Sequence, residues 1–198
     1  SFCEILLSGA PILASRTGYT GEDGFEFYLR PEQAATFADA LLEAGVDLGL
    51  KPCGLGARDS LRLEAGLPLY GHEITQDTNP LEAGLGWVVK LDKAGDFVGK
   101  AALQKIKAAG VSRQLVGLEV LDRGIARQGY EIFDHDQKNV VGTVTSGTPS
   151  PTLGYPIAIG YVKKELGAPG TRLSIKVRDR FFPAEVVPTP FYKRSPAG

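Results

Sequence analysis

Two hydrophobic periods share this chain. Residues 2–7 and 12–15 are short apolar runs that read as strands. Phe25-Glu26-Phe27-Tyr28-Leu29 alternates and is rich in β-formers, so it predicts a third strand. Side chains alternate along a strand, which puts Glu26 on the face opposite Phe25 and Phe27. Beyond Pro31 the period lengthens. Ala34, Phe37, Ala38, Leu41 and Leu42 follow helical spacing and predict an amphipathic helix stopped by Gly45. A second helix is expected over Ala57 to Ala65, ending at Gly66, and a third over Lys100 to Ala109, ending at Gly110. In the second, Arg58 and Arg62 share one face, which reads as a solvated, salt-bridged helix. Against that, Arg58 falls in the first turn, where a cation opposes the helix dipole, so a tertiary or ligand partner is the alternative. Residues 67–98 are less regular. Trp87-Val88-Val89-Lys90-Leu91 then reads as a strand, with Trp87 expected as a core or interface plug.

After Gly110 the helical period disappears. Strand-like runs cover Arg113 to Leu121, Gly129 to Phe133, Asn139 to Thr145, Ile157 to Val162, Thr171 to Val177 and Phe181 to Val187. Turn residues separate them, including a long stretch from Ser146 to Gly154. Six short strands without intervening helices predict a small antiparallel barrel or sandwich. The fold class is therefore α+β: a mixed α/β part over 1–108, then a small antiparallel β-barrel over 109–198.

Composition narrows function mostly by exclusion. The chain has 198 residues, 43% of them hydrophobic and 23% charged, as in ordinary soluble domains. A net charge of −1 gives no electrostatic case for nucleic acid or an acidic membrane surface. No apolar run approaches the ~20 residues that span a bilayer. No secretory leader is seen. Cys3 and Cys53 do not make a disulfide framework, so a reducing compartment is the default. With His72 and His135 the only histidines, no metal-ligand spacing is present. Methionine is absent and the chain opens directly on a strand, which reads either as a processed N-terminus or as part of a longer protein.

Candidate chemistry concentrates in Arg16-Thr17-Gly18-Tyr19-Thr20-Gly21-Glu22-Asp23-Gly24-Phe25-Glu26. Its glycines allow tight turns and close backbone approach to a ligand. The plainer reading is a glycine-rich hairpin with solvated acids at its tip. A half-buried Glu26 would want a hydrogen-bond donor. No Walker loop, dinucleotide fingerprint or Ser/His/Asp arrangement is present. His72 has no nucleophile near it in sequence and reads as structural. Tyr19, Glu26 and Arg58 remain as a recognition set for a flat heterocycle. A carboxylate accepts two N–H groups from an amidine-like edge, a tyrosine stacks, and an arginine holds a carbonyl or carboxylate.

The chain resembles the aminomethyltransferase (T-protein) family of the glycine cleavage system. The resemblance lies in the glycine stretch above, in Gly54-Leu55-Gly56-Ala57-Arg58-Asp59-Ser60-Leu61-Arg62-Leu63-Glu64-Ala65-Gly66, and in Leu69-Tyr70-Gly71-His72-Glu73-Ile74. Pro80-Leu81-Glu82-Ala83-Gly84-Leu85, Val141-Gly142-Thr143-Val144-Thr145-Ser146-Gly147 and Pro190-Phe191-Tyr192-Lys193 extend it over essentially the whole chain. The resemblance implies transfer of the methylene of an aminomethyl group, carried on the dihydrolipoyl arm of H-protein, to tetrahydrofolate, with release of ammonia. It sets the pterin against Glu26 and Arg58, with Tyr19 lining the same pocket. It offers Arg113 for the folate tail, and Trp87 and Phe191 as pocket walls. No catalytic residue is assigned, because the family's proposed aspartate lies in an N-terminal region that has no counterpart here. The chain alone is accordingly expected to be an incomplete, inactive fragment. Tetrahydrofolate and lipoylated H-protein are the implied partners, without metal, nucleic acid or membrane. The implied compartment is the bacterial cytoplasm, or the mitochondrial matrix in a eukaryote. The alternatives are the folate-binding part of a dimethylglycine or sarcosine dehydrogenase, a non-catalytic folate-binding paralogue, and a scaffold for a protein partner.

Overall fold

The structure, a computed structural model, describes residues 2–7 and 10–194. By contacts the chain falls into two compact units, one running to Leu61 and including Arg194, the other Arg62–Lys193.

The first unit is built on a three-stranded sheet of β1 (Phe2–Leu7), β2 (Ala10–Ser15) and β3 (Glu26–Tyr28), in that order. Both pairings are antiparallel, with Ile5 opposite Ile12 and Ser15 opposite Glu26. Alternation gives the sheet two unlike faces. Ile12 and Ala14 are buried on one, while Phe2, Leu6, Leu13 and Tyr28 are exposed. Phe27 packs its ring 4.9 Å from that of Phe37 on α1 (Ala34–Gly45); the helix forms as expected, but Leu41 and Leu42 of the predicted apolar stripe are exposed. A 3₁₀ turn at Pro31–Gln33 precedes α1. A second helix, α2, spans Leu55–Glu64, starting two residues earlier than expected because the Gly54 carbonyl accepts from the N–H groups of Ala57 and Arg58. Two residues past its end, Gly66 has a φ of 67°, which suits a left-handed stop.

The second unit carries α3 (Lys100–Ala109), at the predicted bounds, and six strands. These are β4 (Arg113–Val120), β5 (Glu131–Asp134), β6 (Val140–Pro149), β7 (Pro156–Lys163), β8 (Arg172–Val177) and β9 (Arg180–Val187). They close into an antiparallel barrel in the order β4-β7-β6-β5-β8-β9, which confirms the barrel expectation. Leu118, Ile132, Val144, Leu173, Ile175 and Ala184 fill its core. Gly142 lies so close to β7 that an added Cβ would stand 2.1 Å from the Tyr161 carbonyl oxygen.

Three expectations need correction. The strand expected over Trp87–Leu91 is a 3₁₀ turn, Gly86–Val88, held by the Val88 and Val89 N–H groups on the Leu85 and Gly86 carbonyls. No strand among the described residues pairs with it, and β-propensity without a partner does not make a strand. Trp87 is not a buried plug: it is 73% exposed. The turn expected to start at Ser146 starts later, because β6 continues through a register shift between Val144 and Ser146 and pairs as far as Pro149. That bulge breaks the alternation, so Val144, Thr145 and Ser146 are all buried.

Candidate functional site

The glycine stretch links β2 to β3, with Thr17 and Glu26 at its two stems. Glu26 is half-buried, and its Oε2 accepts from the Thr17 hydroxyl, the donor that the sequence called for. A hydroxyl has one proton, so in the 3.0 Å contact between the Thr17 and Ser15 hydroxyls Ser15 is the donor. The loop brings Tyr19 against Arg58 of α2, with the guanidinium carbon 4.7 Å from the ring centroid. That is cation–π geometry. Arg58 thus has a tertiary partner, the alternative to a purely solvated face. Arg62, one turn on, does not fit the solvated reading at all, being 1% exposed.

The acids at the loop tip are paired. Arg194 places Nη1 2.9 Å from Asp23 Oδ2 and Nε 3.6 Å from Glu22 Oε2. Arg16 Nη2 lies 3.4 Å from Asp23 Oδ1. Hydrogen bonding to Arg16, then its charge, and then Arg194 hold the Asp23 carboxyl below its ordinary range.

In the second unit, Arg113 grips the Glu82 carboxylate with Nε at 3.0 Å and Nη2 at 3.2 Å. It also sits 4.6 Å from the Tyr161 ring centroid. Burial by itself would raise Glu82, but Arg113 and the Asn79 N–H more than offset it, and the carboxyl ends below its ordinary range. Trp87 lines a cleft of about 260 Å³ together with Gly66, Pro68, Leu85, Leu115 and Pro190. Neither Arg113 nor Phe191 lines that cleft. Phe191 packs instead on Leu63, Ile157 and Ile159. The structure therefore brings Tyr19 and Arg58 together and holds Glu26 at the stem of the same loop; Arg113 pairs with Glu82, while the Trp87 cleft and the Phe191 cluster share Leu115 and Ile159.

A buried polar network escaped the sequence reading. Glu73, 0% exposed, accepts from Arg62 Nη1 at 2.8 Å and the Leu69 N–H at 2.9 Å on Oε2, and from the Thr145 hydroxyl at 2.6 Å on Oε1. Arg62 Nη2 donates to Ser146 Oγ at 2.8 Å. His72 Nδ1 lies 3.1 Å from the Thr145 carbonyl, which can only accept, so Nδ1 carries the proton. This supports the structural reading of His72. Glu64 is buried too, and accepts from the Ser150 hydroxyl, the Thr152 N–H and the Thr152 hydroxyl. The one sequence signal was Arg62, a cation recurring one turn after Arg58. Its partners lie 11 and 84 positions away along the chain.

Among the described residues no group of His, Cys, Asp or Glu is arranged to hold a metal ion. No helix among them is long and apolar enough to cross a membrane. Both cysteines are free and exposed.

Comparison with known proteins gives a consistent picture. Residues 1–93 match the GCVT N-terminal domain, and residues 113–193 match the glycine cleavage T-protein C-terminal barrel domain. An aminomethyltransferase of Bacillus cereus is 53% identical over 192 residues, which is 97% of this chain and 52% of that protein. The aminomethyltransferase of Shouchella clausii is also 53% identical, over 96% of this chain and 52% of that protein. The crystal structure of the glycine cleavage system aminomethyltransferase T from Bartonella henselae superposes with a TM-score of 0.85 at 40% identity, over 92% of this chain and 50% of that one. The chain spans about half the length of the curated relatives it matches. With both domain models matched in order, and with barrel, helices and sheet as in the solved relative, the chain belongs to the glycine cleavage T-protein family.

Proposed function

We propose that this chain supplies the pterin-recognition part of an aminomethyltransferase that passes the methylene of an H-protein-bound aminomethyl-dihydrolipoyl group to tetrahydrofolate and releases ammonia. The observation that carries the reading is the Tyr19–Arg58 stack on the glycine loop whose stem holds the Glu26 carboxylate. Arg58 stacks on the Tyr19 ring, and Tyr19 lines the proposed pterin pocket. Glu26 accepts from the amidine-like N–H edge of the pterin, and Arg58 contributes positive charge toward its carbonyl side. Tetrahydrofolate enters as co-substrate and lipoylated H-protein as the carrier. Arg113, Trp87 and Phe191 remain proposals for the tail and walls; the exposed indole of Trp87 is what supports its part. No residue is assigned the proton transfer to or from the folate nitrogen. A division near residues 108–111 belongs to the same proposal, supported by the gap between the two matched domain models. A cytoplasmic setting is supported by the bacterial relatives, with the mitochondrial matrix its counterpart in a eukaryote.

Calorimetric titration with tetrahydrofolate, alongside Glu26→Ala, tests this. Loss of one charge-assisted contact is expected to weaken binding by about 1.5–3 kcal/mol. Equal affinities for the two proteins would remove Glu26 from the site, and no binding by the unmodified chain would refute a self-sufficient pterin site.

A further inference from the structure

Within the first unit, Arg194 makes contacts that the proposed pterin site does not explain. Its Nη1 lies 2.9 Å from Asp23 and its Nε 3.6 Å from Glu22. Asp23 receives Arg16 on its other oxygen, at 3.4 Å. Two neighbouring acids are therefore bracketed by arginines 178 positions apart in the chain, 194 minus 16. Inside the loop the Glu22 N–H lies 3.4 Å from the Thr20 hydroxyl, and Thr17 bonds Glu26 across the stems. Gly18 and Gly24 have open space where a Cβ would stand, and Gly21 adopts a φ of 75°. Glycines at three positions of an eleven-residue loop leave its backbone more conformational entropy to lose than other residues would. Yet this loop must hold Tyr19 at 4.7 Å from the Arg58 guanidinium.

We infer that Arg194 is a positioning residue, whose forked ion pair to Glu22 and Asp23 fixes the glycine loop and thereby seats Tyr19 against Arg58. The ligand that Tyr19 would meet rests on the function proposed above; the loop-setting role does not. Arginine suits it because a planar fork reaches two carboxylates at once, whereas an ammonium acts as a single point charge. Each pair is exposed, so one pair alone would do little. Sharing Asp23 between two arginines makes the three contacts a network.

The test is ligand-free first. Backbone order parameters of residues 18–24 and the ring resonances of Tyr19 are compared in the unmodified chain, Arg194→Ala and Arg194→Lys. The unmodified loop is expected near the rigid value of about 0.85 and Arg194→Ala toward about 0.6 or below. The Tyr19 resonances should move toward those of a free tyrosine, and Arg194→Lys should restore part of both. Unchanged amide resonances in β7 would show that the barrel is intact. Salt at about 1 M screens exposed pairs and should reproduce the loosening without any mutation. A loop equally rigid in Arg194→Ala and at high salt would overturn the inference. So would a loosened loop with Tyr19 unmoved. Tetrahydrofolate titration then separates the two readings: affinity should fall about fivefold in Arg194→Ala, the effect of a weak surface network. If the unmodified chain binds no tetrahydrofolate, the pterin reading fails, while loop order and the Tyr19 signal still decide the role of Arg194.

Discussion

Arg62 and Glu73 show how one buried charge obliges another. Both are essentially inaccessible, and they meet at 2.8 Å. Each offsets the other's desolvation, and the hydrogen bonds from Leu69 and Thr145 to Glu73 and from Arg62 to Ser146 and the Leu67 carbonyl add to the pair. Glu73→Ala would strand the guanidinium. It is expected to cost about 3–5 kcal/mol, read as a lower urea midpoint at unchanged slope. Replacing both partners with apolar residues, as in Arg62→Met with Glu73→Leu, is expected to cost clearly less than Glu73→Ala alone, because no charge is left unpaired. The opposite order would mean that the pair's own attraction, rather than its desolvation, dominates. Such a pair is hard to read in a sequence, where Arg62 looks like any helical surface cation. Glu26 was easier. Its strand position and apolar neighbours announced a half-buried carboxylate, and its donor, Thr17, lies nine residues away.

At the scale of elements, periodicity identified what local physics controls. The helical spans of α1 and α3 and the barrel strands follow from spacing, even though Leu41 and Leu42 of α1 are exposed. The failures occur where partners decide. Trp87-Val88-Val89 has strong strand preferences but folds as a 3₁₀ turn with its indole exposed. Truncating an exposed side chain leaves no cavity. Trp87→Ala is therefore expected to change stability by no more than about 0.5 kcal/mol, against about 3–5 kcal/mol for a buried tryptophan. Thermal unfolding of the variant separates the two. The β6 bulge is the complementary case. A register shift is set by the neighbouring strand, and it turns Thr145 and Ser146 together toward Glu73 and Arg62.

For the whole molecule, the titrating groups set the pH range of stability. Asp23, Glu82 and Asp134 have lowered carboxyl pKa values in the fold. Their stabilisation is present above the ordinary carboxylate range and is lost as pH falls through the lowered values. Tyr161 behaves in the opposite sense. Burial, then the negative charge of Glu82, push it from 10.0 to about 12. The folded state holds that proton more tightly, so its contribution is complete below pH 10 and fades up to about 12. Tyr161→Phe loses the 2.9 Å hydrogen bond to the Glu73 carbonyl and is expected to be about 0.5–1.5 kcal/mol less stable at neutral pH. The gap between the two proteins should narrow as pH rises from 10 toward 12. A gap that stayed constant would place the Tyr161 ionisation outside the folding equilibrium.

Local pattern was enough for the helices, the six barrel strands and the glycine loop with its tyrosine and glutamate, because hydrophobic period and turn chemistry act over a few residues. The motifs along the chain also carried the family resemblance. Folding in three dimensions was needed to settle which charges are buried together, that Trp87 faces solvent, and that Arg194 bonds the acids of the glycine loop. The charge pairings join residues from eleven to more than a hundred positions apart. Their energies come from shared desolvation and from the partner each group meets, which no local pattern of hydrophobic and polar residues encodes.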